Sequence, residues 1–151
     1  MVRFYFASYR LLNQFIAGLR ACFTGFWLGV LRRADLDRAD AAYFADDAMY
    51  LGERWNRSGL FGWEQSVVLE YFREGRRLLV TSAGGGREVL ALERMGYEVD
   101  AFECNPALVE FANSFLRAEG LQSRVLTADR DTCPPLPGGY DGVIVAGVRS
   151  C

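Results

Sequence analysis

The chain has 151 residues, 51% of them hydrophobic and 24% charged, with a formal net charge of −2. That suits one ordinary globular core and excludes a disordered or collagen-like chain. It contains no histidine, and all 17 basic residues are arginines, so it cannot by itself assemble a Ser-His-Asp triad, a Schiff-base lysine, a phosphate loop with its lysine, or an HExxH zinc site. Residues 1–33 carry Arg3, Arg10, Arg20, Arg32 and Arg33 and no acid, a charge of +5; the remainder sets 12 arginines against 19 acids, or −7. In that first stretch Tyr5, Tyr9, Leu12, Ile16, Leu19, Phe23, Phe26 and Val30 recur at steps of three and four, which predicts an amphipathic helix. Arg10 and Arg20 interrupt the apolar run that a signal peptide needs, and the longest uncharged run, residues 21–31, is too short to span a bilayer. The helix is expected to pack on its own domain or on a second copy, with peripheral contact to an anionic membrane as the alternative.

A second helix is predicted over 35–49, then a loop over 52–61. A helix over 62–72 follows, with Trp63, Val67, Val68, Tyr71 and Phe72 on one face and Gly75 to stop it. From there strands and helices alternate: a strand over 78–81, a helix over 87–95 ended by Gly96, and a strand over 98–102. A helix over 105–118 has Asn105 as N-cap, Pro106 at its first position, and Leu108, Val109, Ala112, Phe115 and Leu116 inward. Strands over 124–128 and 140–146 complete the pattern. Such an alternation with short links predicts an α/β fold: a doubly wound parallel sheet with helices on both faces, preceded by an N-terminal helical region. The domain boundary is expected between residues 61 and 62.

Cys22, Cys104, Cys133 and Cys151 form no CxxC pair. This favours free thiols in a reducing cytoplasm over a zinc cluster or a disulfide framework, and no metal site is expected. The chemistry concentrates at three strand ends. The first strand runs into Ser82, Ala83, Gly84, Gly85 and Gly86 and then a helix, a turn that lets a ligand approach the backbone and the helix N–H groups. Glu103 ends the second strand 19 positions after Gly84, close to the spacing of a carboxylate that grips a ribose. Asp129 follows the third strand, where it suits an acceptor for an adenine amino group. Three strand ends at the carboxyl edge of one sheet describe one crevice.

These residues carry a resemblance. Residues 78–147, through LLVTSAGGGRE, VDAFECNP, LTADRD and YDGVIVAG, resemble the class I (Rossmann-like) S-adenosylmethionine-dependent methyltransferases. The resemblance implies that Ser82 to Gly86 line the methionine and ribose portion of the cofactor and that Glu103 holds the ribose. It also implies that Cys104 and Asn105 flank the adenine, that Asp129 and Arg130 close its other side, and that Ala146 and Gly147 lie near the sulfonium. Two positions depart from the family: Val80 stands where its first strand usually carries an acid, and Ser82 stands for the first glycine. Glu88 is the nearby acid that could serve the cofactor's amino-acid end. A nicotinamide-binding fold needs G-x-G-x-x-G, and counted from Gly84 the third position is Val89, so that fingerprint fails.

The function expected is methyl transfer from S-adenosylmethionine to a small-molecule acceptor, with no catalytic base nominated. The alternatives are a non-catalytic module that keeps the fold and a nicotinamide-dependent oxidoreductase. Tyr43, Tyr50, Trp55, Asn56 and Arg57 are the upstream residues that could cover the site. The acidic remainder argues against nucleic acid as partner. The fourth strand is apolar on both faces, so its edge is expected to be covered by a second copy or by the rest of a longer protein.

Overall fold

The computed structural model describes residues 1–45, 49–72, 76–122, 124–129 and 132–146. The chain divides into two compact units, Met1–Ala39 and Asp40–Cys151. The first is dominated by the predicted amphipathic helix, α1 (Val2–Val30), none of whose residues is buried. At 1.5 Å per residue it is about 43 Å long, and no helix among the described residues is long and apolar enough to cross a membrane. A second helix, α2 (Arg33–Ala45), follows; Met49, the last residue of the predicted helix, lies in a turn.

The second unit contains α3 (Glu53–Asn56), α4 (Gly62–Tyr71), β1 (Arg77–Thr81), α5 (Arg87–Arg94), β2 (Glu98–Glu103), α6 (Pro106–Ala118), β3 (Val125–Thr127) and β4 (Gly142–Val145). The loop predicted over 52–61 thus includes one short helical turn. The four strands form a parallel sheet in the order β3-β2-β1-β4. β1 takes the centre because Leu78, Leu79 and Val80 are apolar to both faces, and all three are buried. The chain winds from β1 through β2 to β3 and then returns to the other side of β1, so the winding direction switches between β1 and β4. Open sheets of this kind bind ligands at that switch, beyond the carboxyl ends of the strands.

Leu78, Val80, Val99, Ala101 and Val125 share one core cluster with Val68 of α4, Val89, Leu90 and Leu92 of α5, and Val109, Ala112, Phe115 and Leu116 of α6. Among the described residues the helices thus cover one face of the sheet. On the other face Leu126, Val143 and Val145 are exposed. The β3–β4 connection includes Pro134, Pro135 and Pro137, which deny a helix its N–H donors, and it carries no helix among its described residues. The connection is held at the amino end of the sheet. Tyr140 donates to Asp100 at 2.9 Å, Asp100 pairs with Arg77 at 2.8 Å, and the guanidinium lies 5.2 Å from the Tyr140 ring.

Helix ends follow local chemistry. Asn105 caps α6 by accepting from Ala107 N–H at 3.0 Å, with Pro106 at the first helical position. α4 stops when Phe72 turns extended, at φ −119° and ψ 128°; Gly75, the predicted stop, lies outside the described residues. The ring of Phe72 then lies against Gly142, where any Cβ would collide with it. Of the face predicted for α4, Val68 is buried and Phe72 half-buried, whereas Trp63, Val67 and Tyr71 are exposed.

Candidate functional site

The turn after β1 is built from left-handed backbone. Ser82 has φ 55°, Gly84 φ 52° and Gly86 φ 94°. Glycine adopts such angles freely and serine does not, so the position that departs from the family pattern is also the strained one. Gly85 is required for a different reason. A Cβ there would lie 2.6 Å from both amide atoms of Asn56 and would overlap the Tyr50 carbonyl. Asn56 is 1% exposed and donates from Nδ2 to Tyr50 O at 2.9 Å and Gly52 O at 3.0 Å. Residues 49–56 are thereby fastened onto the glycine turn. The boundary expected between 61 and 62 falls inside the second unit.

On the β2 side, Glu103 is buried and tied to backbone. One carboxylate oxygen accepts from Gly84 N–H at 3.0 Å; the other accepts from Cys104 N–H at 2.7 Å and Asn105 N–H at 2.9 Å. A carboxylate has about four lone-pair sites, so these three bonds leave one for a ligand. Beside it Asn105 is buried, with its Nδ2 lacking a partner among the described residues. Asp129 is exposed and forms an antiparallel bridge with Thr132. Arg130 and Gly147 lie outside the described residues.

On the β4 side a cavity of about 650 Å³ opens between α4, residues 49–61, and the ends of β1 and β4. Its floor includes Ser82, Ala83, Gly84, Gly85 and Ala146, and its walls are aromatic: Tyr50, Trp55, Phe61, Trp63, Tyr71 and Phe72. Arg87, the first residue of α5, is 6% exposed beside it. Its guanidinium bonds both oxygens of Glu64 at 3.0 Å, the Gly59 carbonyl at 2.7 Å, and Glu88; it lies 4.5 Å from the Phe61 ring and 5.5 Å from that of Trp55. Burial opposes the Arg87 charge, but the two carboxylates more than offset this and hold its pKa above the usual arginine value. Glu64 also accepts from Phe61 N–H at 2.7 Å, so both of its oxygens are engaged within the protein. Glu88 uses one oxygen for Arg87, and the other has no partner among the described residues.

The predicted site residues therefore fall into two groups about one turn. Ser82, Ala83, Gly84, Gly85 and Ala146 line the cavity. Gly86 instead caps α5 against Ala112 and Leu116, and Glu103, Cys104, Asn105 and Asp129 lie on the β2–β3 side. Tyr50 and Asn56 lie against the turn, and Trp55 lines the cavity beside it. Tyr43 is exposed, and Arg57 pairs with Glu53 and Glu119 and lies outside the cavity. Sequence reasoning missed the Arg87–Glu64 pair, because a bond across 23 positions leaves no local pattern.

No family model matches the chain, and no curated protein matches it in sequence. Solved structures do match. A TehB-like SAM-dependent methyltransferase from Corynebacterium glutamicum aligns at a TM-score of 0.54 with 18% identity, over 73% of this chain and 56% of that one. A SAM-dependent methyltransferase from Aquifex aeolicus aligns at 0.51 with 21% identity, over 71% and 55%. Coclaurine N-methyltransferase bound to N-methylheliamine and SAH aligns at 0.51 with 17% identity, over 91% and 49%. The chain thus spans about half the length of the solved structures it matches. With the sheet order β3-β2-β1-β4, these matches give the fold: it is that of the Rossmann-like S-adenosylmethionine-dependent methyltransferases.

Proposed function

We propose that this chain binds S-adenosylmethionine across the glycine turn and serves methyl transfer to a small-molecule acceptor. The observation that carries this reading is Glu103, buried at the end of β2, hydrogen-bonded to Gly84 and still holding one acceptor site toward the crevice. The residues present fit the group. Glu103 and the unpartnered Asn105 Nδ2 offer an acceptor and a donor on the nucleoside side. On the other side, the free oxygen of Glu88 offers an acceptor to the ammonium of the amino-acid end, in place of the acid absent at Val80. The solved neighbours support the same cofactor, since one of them was bound to SAH.

The cofactor supplies an activated methyl whose leaving group is a neutral thioether. The protein's share is then mostly placement: the glycine turn brings backbone close, and the aromatic walls exclude water and orient an apolar acceptor toward the floor of the cavity. A chain without histidine or lysine suits that division of labour. Where the acceptor is a hydroxyl, removal of its proton falls to a carboxylate, tyrosine or thiol. Calorimetric titration with S-adenosylhomocysteine and with NAD tests the reading. Saturable binding of the first and none of the second is expected; the opposite result overturns it.

A further inference from the structure

α1 has the makings of a second binding element, with a ligand unrelated to methyl transfer. Fifteen of its large apolar side chains are exposed, and none is buried. At about 100° per residue, all but three of them, including Tyr5, Leu12, Phe15, Leu19, Phe23 and Trp27, fall within an arc of about 160°. Arg3, Arg10 and Arg20 occupy the remaining arc with Asn13, Gln14 and Thr24; Val2, Phe6 and Leu28 are the apolar residues that join them there. No acid occurs in residues 1–33, so nothing within that stretch neutralises its +5 charge.

We propose that α1 lies in the plane of an anionic lipid bilayer, its aromatic arc sunk into the acyl boundary and its arginines among the headgroups. Each feature selects this occupant. The apolar arc is far wider than a coiled-coil seam, and rings outnumber aliphatic side chains on it, whereas such a seam is built from aliphatic knobs; this argues against a second copy. Tyrosine and tryptophan on the arc have one wet and one apolar end, as the membrane interface requires. A nucleic acid would match the arginines but leave the whole aromatic arc in water. Only an anionic membrane satisfies both faces at once.

Co-sedimentation of the full chain with vesicles containing about 30 mol % phosphatidylserine, against pure phosphatidylcholine, tests this. Binding to the anionic vesicles is expected, and it should weaken on the order of tenfold in high salt. Replacing Arg3→Gln, Arg10→Gln and Arg20→Gln together keeps the apolar arc and should cost on the order of a hundredfold in partitioning. Phe15→Glu with Leu19→Glu should abolish sedimentation while S-adenosylhomocysteine binding persists, because these side chains are exposed and belong to the other unit. Equal binding to both vesicle types, or full binding by the arginine triple variant, would overturn the proposal. So would vesicle-independent dimerisation, or binding to a single-stranded oligonucleotide, in a chain that ignores anionic vesicles.

Discussion

The two sides of the glycine turn solve opposite problems. On the β2 side a single carboxylate is tied by three backbone N–H groups, in a space that leaves one acceptor site. On the β4 side lies a wide aromatic cavity, and its charged groups, Arg87 with Glu64 and Glu88, sit at the edge of one wall. The difference teaches where fixed and variable recognition belong. A ligand portion that never changes can be met by a rigid, backbone-defined carboxylate, whereas side-chain walls can be resurfaced without disturbing the sheet. Tyr50 and Asn56 couple the sides, because both press on Gly85 from the cavity.

The largest expected effect follows from that coupling. Gly85→Ala forces Asn56 and the Tyr50 carbonyl away from the turn and should destabilise the α/β unit by about 3 kcal/mol, read as a lower denaturant midpoint. A midpoint unchanged from the parent would mean that the two sides are independent. Next is Glu103→Gln, which keeps the shape but replaces an ionised acceptor and presents an N–H₂ to backbone donors. A loss of about 1.5–3 kcal/mol, or about 10- to 150-fold in S-adenosylhomocysteine affinity, is expected by calorimetry. Smaller, and opposite in sign, Ser82→Gly relieves a left-handed serine at φ 55° and should stabilise the chain by about 1 kcal/mol in thermal unfolding.

The smallest effect serves as a control at the other end of the sheet. The Arg77 backbone N–H, followed by the Arg76 guanidinium, holds the Asp141 carboxyl below its ordinary range. A group depressed on folding contributes stability above its unfolded pKa and loses it as pH falls through the folded value. Asp141→Asn should therefore flatten the acid side of the stability profile slightly while leaving ligand affinity at neutral pH unchanged.

Much of the second unit was legible in the sequence because its signals are local. The Asn105–Pro106 start of α6, the apolar run of β1 and the glycine turn each depend on neighbours within a few positions, and the parallel sheet followed from the alternation they imply. What was not legible depends on long-range contact. The helical turn at Glu53–Asn56 was read as loop because a four-residue helix has no periodicity to detect, and it is fixed by Asn56 bonding back to Tyr50 and Gly52. The cavity's charged edge required Glu64 and Arg87 to meet through the fold. Glu103 was legible as the acid that ends β2, but its three backbone bonds were not.

One ligand divided between the two sides of the turn is the central expectation. Its most direct test is the titration of both adenosine and S-adenosylhomocysteine into the parent chain, Glu103→Gln and Glu88→Gln. Glu103→Gln should weaken both ligands by a similar factor. Glu88→Gln should weaken S-adenosylhomocysteine by about tenfold, through loss of one charge-assisted contact to the ammonium, and leave adenosine unchanged. Equal loss of both ligands in Glu88→Gln, or unchanged adenosine binding in Glu103→Gln, would contradict it.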